Sequence, residues 1–436
     1  MAPATSTMPD FTGCIIDERF QLLRLIGSGT YGVVYQAVDL HPSADPESLY
    51  RAIKIISKIG RTKSQIGAVR REIALQSLVA GHPNIVTLCD AFEDAEYFYI
   101  ILDFYRGGDL FEQCCEKGTY VFNDELLRKA FVSLVDALQA CHDAKIYHRD
   151  LKPENVLVSE DGSEVYLADF GLATNRVIVD EFGCGTTIYM SPECIGRETG
   201  FKPFCARFSD IWALGVILVN MISGRHPWER ATMDDYCFSH FVHDPDFLLD
   251  VLPISEGACD ILQSMFALNP LTRPTLPELR KAILELDTFF VSEDELSYAG
   301  EYVHIAAAAL KEQRDGARAT SAHAEGPRRE MDIGDFVSER DARSSSLAVM
   351  PSESTEAPEI DILASSTRGT RDCSAGSAVD STPSSRASSA ASSMVVTPGA
   401  TTYPVECGEK DVVECMWEKG VEDAGEYLIS RLSLRL

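Results

Sequence analysis

The sequence predicts an α+β protein with a small β-rich lobe, a larger helical lobe behind it, and a long tail. Three observations predict it. Strand-type segments dominate up to about residue 104, helix-type segments dominate from about 105 to 288, and composition shifts near residue 290. Apolar residues make up 45% of the 436-residue chain, enough for a sizeable core in the first two parts. The expected boundaries are an N-terminal extension over 1–19, a domain over 20–288 with its lobes at about 20–104 and 105–288, and an acidic, Ser-rich tail over 289–436.

The segments justify this in order. "IGSGTYGVVY" (Ile26–Tyr35) places Gly27, Gly29 and Gly32 before Val34. Glycines let backbone N–H groups approach phosphate oxygens, although a Gly-rich turn between two strands has the same composition. "RAIKII" (Arg51–Ile56) is an apolar strand interrupted by Lys54. An ammonium there needs a partner unless it sits at a strand edge, and "VRREIALQ" supplies Glu72 on a helix. "YFYIILDF" (Tyr97–Phe104) is short, aromatic and β-branched, as a buried strand is. "ELLRKAFVSLVDALQACHDA" (Glu125–Ala144) has apolar residues at helical spacing. "SDIWALGVILVNMISG" (Ser209–Gly224) is apolar nearly all round and predicts a buried helix ended by Gly224.

From about residue 290 the pattern decays into Ser, Ala, Thr and Pro, which cannot bury enough apolar surface to offset chain entropy, so the tail is expected to be largely disordered. A short helix near the C-terminus is weakened by Gly420 and Gly425. The net charge of −28 argues against sequence-independent nucleic-acid binding. No secretory signal and no membrane span is expected. The 13 scattered cysteines, without a C-x-x-C pair, fit a reducing cytosol or nucleus better than a disulfide or zinc framework.

Further motifs complete the pattern. "IYHRDLKPENVLV" carries His148, Arg149, Asp150, Lys152 and Asn155; "LADFGLAT" carries Asp169, Phe170 and Gly171; "MSPE" ends at Glu193. With these the chain resembles the eukaryotic protein kinases over about residues 20–286, all landmark motifs standing in the family order. The resemblance implies the bilobal protein-kinase fold and a transferase that moves the γ-phosphate of ATP. It implies that Asp150 accepts or orients the substrate hydroxyl proton, that Lys152 steadies the γ-phosphate, and that Lys54 and Glu72 pair to place the α- and β-phosphates. Asn155 and Asp169 would hold magnesium (Mg2+). Nucleotide contacts would come from Ile26, Gly27, Ser28, Gly29 and Gly32, from Val34 and Ala52 above adenine, and from Leu157 below it. Leu102 aligns with the gatekeeper and Asp103–Tyr105 with the hinge, and Asp109 would reach the ribose or a substrate arginine.

"DLKPEN" and Thr186 are similar to the Ser/Thr branch, in which Thr186 would bridge Asp150 and Lys152. The family pattern also makes Asp210 a brace of the catalytic loop and pairs Arg273 with Glu193. Gln76 departs from it, since an apolar residue usually stands there. "FGCGTTIYMSPEC" and "HDPDFLLDVLPISEGACDILQSMF" resemble the fungal Ran/Pat-type meiosis-inhibitor and nutrient-control kinases. Protein substrates with Ser/Thr acceptors are implied. Asp109 and Glu154 suggest arginine at minus three, and Asn220, in place of a second glutamate, only a weak preference at minus two. The alternative is a pseudokinase scaffold, against which the retained Lys54, Asp150, Asn155 and Asp169 argue.

The activation segment is unusual. Phe182 stands where many relatives carry a phosphorylated Ser or Thr, and no Ser, Thr or Tyr lies between Thr174 and Thr186. Glu181 is expected to supply a fixed negative charge to Arg149, so that control comes from elsewhere. Cys184 is either an oxidation-sensitive thiol or a buried, inert one. Arg318-x-x-Ser321, Arg343-x-x-Ser346 and Arg371-x-x-Ser374 are candidate autophosphorylation sites, and Thr382 and Thr397 candidate proline-directed sites.

Overall fold

In the computed structural model, residues 8–29, 32–41 and 49–323 are described, with side chains to residue 316. The Ser-rich tail beyond residue 323, with the candidate sites at Ser346, Ser374, Thr382 and Thr397 and the expected C-terminal helix, lies outside the described residues, whereas Ser321 falls within the last described helix.

The first lobe is one antiparallel sheet of β1 (Ile15–Ile16), β2 (Phe20–Ser28), β3 (Gly32–Asp39), β4 (Tyr50–Ser57), β5 (Leu88–Glu93) and β6 (Tyr97–Asp103), in the order β1-β2-β3-β4-β6-β5. The two-residue period of a strand sorts its side chains to two faces. Val33, Tyr35, Ala37, Ile53, Ile55, Tyr99 and Ile101 form the outer core. Ile56, Phe98 and Ile100 face inward against Val69 and Ile73 of α1 (Lys63–Val79). β6 is covered on both faces, which is why its sequence shows no polar alternation. Part of the N-terminal extension belongs to this lobe, because Phe11 covers the outer face edge-on to Tyr35 and Tyr97. α1 begins at a capping box, Thr62 and Gln65 satisfying each other's backbone N–H groups.

The second lobe is helical. A π-helical turn (Glu112–Glu116) leads to α2 (Asp124–Asp143), then the hairpin of β7 (Val156–Val158) and β8 (Val165–Leu167). β9 (Ile178–Val179), α3 (Pro192–Ile195) and β10 (Phe204–Cys205) frame the segment before α4 (Ala206–Ser223). The chain continues through α5 (Tyr236–His243), α6 (Phe247–Val251), α7 (Glu256–Met265), α8 (Leu276–Glu285), α9 (Glu293–Leu296) and α10 (Glu301–His323). α4 has the length and apolarity of a membrane span, but it is the core helix: 83% of it is buried, and Trp212 packs on Trp228 and Phe266. It ends at Gly224 as expected, the Gly224 N–H donating to the Asn220 carbonyl.

One boundary is corrected. The ordered part extends past residue 288, because Val303, Ala306, Ala307 and Leu310 form the buried stripe of α10 at helical spacing, packed toward α6. Gln313 Nε2 donates to the Cys115 carbonyl at 2.8 Å, and Arg314 lies over the Phe122 ring. Leu310→Ala is therefore expected to cost about 2–4 kcal/mol by removing a buried side chain. Thermal unfolding checks this: an unchanged melting temperature would return α10 to the tail.

Candidate active site

The front of the cleft is built from β2, β3 and β4. Ile26, Gly27 and Ser28 end β2, and Gly29 N–H donates to the Gly32 carbonyl to close the turn. The glycines divide the work. Among the described residues nothing lies within 4 Å of a Cβ built on Gly29, so its outer face leaves room for a ligand there. A Cβ on Gly32 would lie 2.4 Å from the Ile55 carbonyl oxygen, so this glycine serves strand packing. Cross-strand register sets the roof: Val34 pairs with Lys54, and Ala52 with Leu102. Leu157 supplies the floor from β7, bridged to Asp109. At the hinge, Arg51 holds Asp103 at 3.2 Å and Tyr105 stacks on Tyr166 at 3.9 Å between ring centroids.

Lys54 Nζ lies 2.7 Å from Glu72 Oε1 and 2.8 Å from Asp169 Oδ1. Burial opposes the ammonium, but the two carboxylates overcome it and hold Lys54 above its ordinary pKa. Lys54 in turn holds the Asp169 carboxyl at about 2, so Asp169 is ionised at any physiological pH. Gln76 departs from the family pattern without leaving an orphan, because its Nε2 donates to the Val86 carbonyl at 3.1 Å.

The catalytic loop is held in a costly conformation. Arg149 and Asp169 both have positive φ, 65° and 60°, which non-glycine residues avoid. Buried Asp210 fixes the first of these, accepting from the His148 and Arg149 backbone N–H groups at 2.9 Å each, and His142 Nε2 lies 2.9 Å from the same carboxylate. The His142 contact was not expected, since nothing in the α2 pattern marks that residue. Asn155 Nδ2 donates to the Asp150 carbonyl at 2.9 Å. Thr186 Oγ1 donates to Asp150 Oδ1 at 2.9 Å and accepts from Lys152 Nζ at 3.1 Å, which is the bridge the resemblance implied. Gly185 permits that approach: its φ is 110°, and a Cβ there would lie 2.6 Å from the Arg149 carbonyl oxygen.

Phe182 is an apolar anchor. It packs on Phe201 and Phe204, and the Gly183 N–H donates to the Cys194 carbonyl. Beside it Arg149 Nη1 meets Glu181 Oε2 at 2.6 Å, while the buried Nη2 of Arg149 has no hydrogen-bond partner. Burial pushes the Cys184 thiol up, which favours its inert reading. Asn220 is fully buried, accepting from the Tyr189 hydroxyl and donating to the Arg225 carbonyl. It is structural, and its amide is committed.

The residues fit a nucleotide and a divalent metal. Lys54 is a fixed cation for phosphates, the turn face at Gly29 leaves room for a ligand, and Asp169 and Asn155 are the hard oxygen donors that magnesium takes.

The family profile described as "Protein kinase domain" matches residues 20–284. The chain is 40% identical over 286 residues to a Schizosaccharomyces pombe protein named "Negative regulator of sexual conjugation and meiosis", covering 61% of this chain and 60% of the relative. It is 32% identical to the serine/threonine-protein kinase ksp1 of the same yeast, covering 70% and 65%. To the serine/threonine-protein kinase VHS1 of Saccharomyces cerevisiae it is 35% identical, covering 66% and 74%. The chain thus spans less than two thirds of the length of the first two of these relatives.

Proposed function

The chain belongs to the protein kinase family, on its Ser/Thr branch, and from that premise we propose that it transfers the γ-phosphoryl group of ATP to Ser and Thr hydroxyls of proteins. The observation that carries this is the joined constellation Lys54–Glu72–Asp169 and Asp150–Thr186–Lys152. A pure scaffold has no need to keep both halves assembled.

Each side chain has a role. Glu72 and Asp169 keep Lys54 charged and directed at the cleft, where it binds the α- and β-phosphates. The backbone about Gly29 covers the phosphates, and Val34, Ala52 and Leu157 enclose the adenine. Asp169 and Asn155 would hold magnesium, which when bound would neutralise phosphate charge. Asp150 orients the acceptor hydroxyl and takes its proton. Thr186 and Lys152 fix that carboxylate, so little reorganisation is left for the transition state.

Activity is independent of activation-loop phosphorylation in this reading. Its support is the Arg149–Glu181 pair in the pocket that usually receives a phosphate, together with the Phe182 anchor that ties down the loop. Substrates carry arginine at minus three, met by Asp109 and Glu154, with little demand at minus two because the Asn220 amide is committed. The protein works in the cytosol or nucleus in nutrient, growth or differentiation signalling, as the name of the meiosis-regulating relative suggests.

One experiment tests these points together. The full chain, made without upstream kinases and stripped with phosphatase, is assayed on a peptide library with ATP and magnesium. Transfer is expected to persist, with arginine enriched at minus three. Glu181→Ala is expected to lower kcat/KM roughly tenfold, about 1.4 kcal/mol. Activity that vanishes on dephosphorylation and returns on rephosphorylation would refute loop independence, and a flat minus-three profile would refute the arginine preference.

A further inference from the structure

The π-helical turn that follows Asp109 holds two adjacent cysteines whose sulfurs nearly touch. Cys114 Sγ and Cys115 Sγ are 3.4 Å apart. Neighbouring side chains on an α-helix diverge by about 100°, and the wider i→i+5 turn narrows that angle. The turn is clamped from three sides. Lys117 N–H donates to the Glu112 carbonyl at 2.9 Å, Gln113 Nε2 to the Gly107 carbonyl at 2.6 Å, and Gln313 Nε2 from α10 to the Cys115 carbonyl at 2.8 Å. Cys114 is buried and Cys115 is half-buried, which leaves one way in.

A disulfide is a poor product here. Its Cα atoms normally stand about 4.4–6.8 Å apart, whereas neighbours across a trans peptide are held near 3.8 Å. A single soft atom placed between the sulfurs asks for no such rearrangement. We propose that Cys114 and Cys115 form a dithiol site for trivalent arsenicals, one arsenic atom bridging both sulfurs.

The reaction is a condensation without redox change. Two As–S bonds form and the arsenic–oxygen bond of an arsenoxide breaks. Both thiol protons leave with that oxygen as water, and arsenic stays trivalent. Cys115 reacts first, through its exposed side, and closure onto buried Cys114 follows. Thiols are soft donors matched to such a centre. Burial first, then the Cys115 neighbour, pushes the Cys114 thiol well up, so it is inert toward free reagents and closes only onto arsenic already held by Cys115, whose sulfur is 3.4 Å away; the product is neutral. The pair adjoins a residue the substrate reading uses: burial first, and then Glu154, Cys115 and Cys114 together, push the Tyr189 hydroxyl up. An adduct is therefore expected to raise KM for peptides with arginine at minus three. That consequence rests on the substrate reading above; the binding does not.

The test uses the full chain, phenylarsine oxide, and intact mass spectrometry after a wash with excess glutathione. One equivalent is expected to survive the monothiol wash and to be removed by 2,3-dimercaptopropanol. Cys114→Ser and Cys115→Ser should each abolish retention, while Cys184→Ser and Cys194→Ser keep it. In the wild type, the arsenical should also protect Cys114 and Cys115 from later alkylation, a readout that needs no variant to fold. The proposal is overturned if no adduct survives the wash, if both Cys114→Ser and Cys115→Ser still retain it, or if these two cysteines stay open to alkylation. None of these readouts requires phosphate transfer, so a failed kinase assay leaves them standing.

Discussion

Asp150→Asn is expected to reduce phosphate transfer by about 10²–10⁴-fold, the usual worth of a positioned acid–base group, with ATP affinity nearly unchanged. Asp150 Oδ1 accepts from Thr186 at 2.9 Å, and Oδ2 lies 3.3 Å from Lys152 Nζ. An amide keeps the shape of the carboxylate but loses its charge and its ability to take a proton. Depending on its orientation, it also directs an N–H group at Thr186 or at the Lys152 ammonium. Lys54 and Glu72, assigned to the α- and β-phosphates, pair with each other and with Asp169 rather than with Asp150, whereas Lys152 and Asn155, assigned to the γ-phosphate and the metal, do contact it and are kept in the variant. The measurement is therefore a split: kcat falls while nucleotide binding, followed by calorimetry, holds. A wild type that binds ATP but transfers nothing, with the variant indistinguishable from it, would make the chain a nucleotide-binding scaffold. A variant that lost ATP binding as well would show that Asp150 supports the cleft rather than the chemistry.

The candidate catalytic set could be named from the sequence because its chemistry tolerates few residue types. A buried lysine needs carboxylates, and a strained loop needs a buried acceptor such as Asp210. The folded chain also joins residues 115 positions apart, Lys54 and Asp169, a contact the sequence reading did not name. What stayed hidden depends on partners far along the chain. Phe182 reads as a missing phosphosite, and its anchoring role exists only through Phe201 and Phe204. Asn220 reads as an absent carboxylate, and it is the Tyr189 hydroxyl that shows the amide to be structural. α10 carried a local signal, apolar residues at 303, 306, 307 and 310, but the stripe is short and its partners lie far upstream in α6 and the π-helical turn. The same holds for the dithiol, since two adjacent cysteines imply nothing until a π-helical turn brings their sulfurs together.

Arg273→Met is expected to destabilise the helical lobe by about 3–5 kcal/mol, the cost of stranding a buried charge. The Arg273 side chain is 0% exposed and that of Glu193 5%. The guanidinium meets the carboxylate in a fork, Nη1 to Oε1 at 2.5 Å and Nη2 to Oε2 at 2.9 Å. It also donates to the Phe208 and Ala267 carbonyls and lies 4.9 Å over the Trp212 ring. Methionine fills much of the same volume, so the loss comes mainly from polar groups left without donors rather than from a cavity. The double variant Arg273→Met with Glu193→Leu separates the two causes. If the unpaired carboxylate dominates, the double variant is more stable than Arg273→Met alone, and the cycle gives a coupling energy of at least about 1 kcal/mol. Urea unfolding with fluorescence detection provides the numbers, since Trp212 reports directly on the site. Losses that simply add would place the energy in the contacts to Phe208, Ala267 and Trp212, and would make the ion pair incidental to the fold. A measurable coupling would instead make the Glu193–Arg273 fork the clamp that ties the end of the activation segment to the body of the lobe, 80 residues downstream.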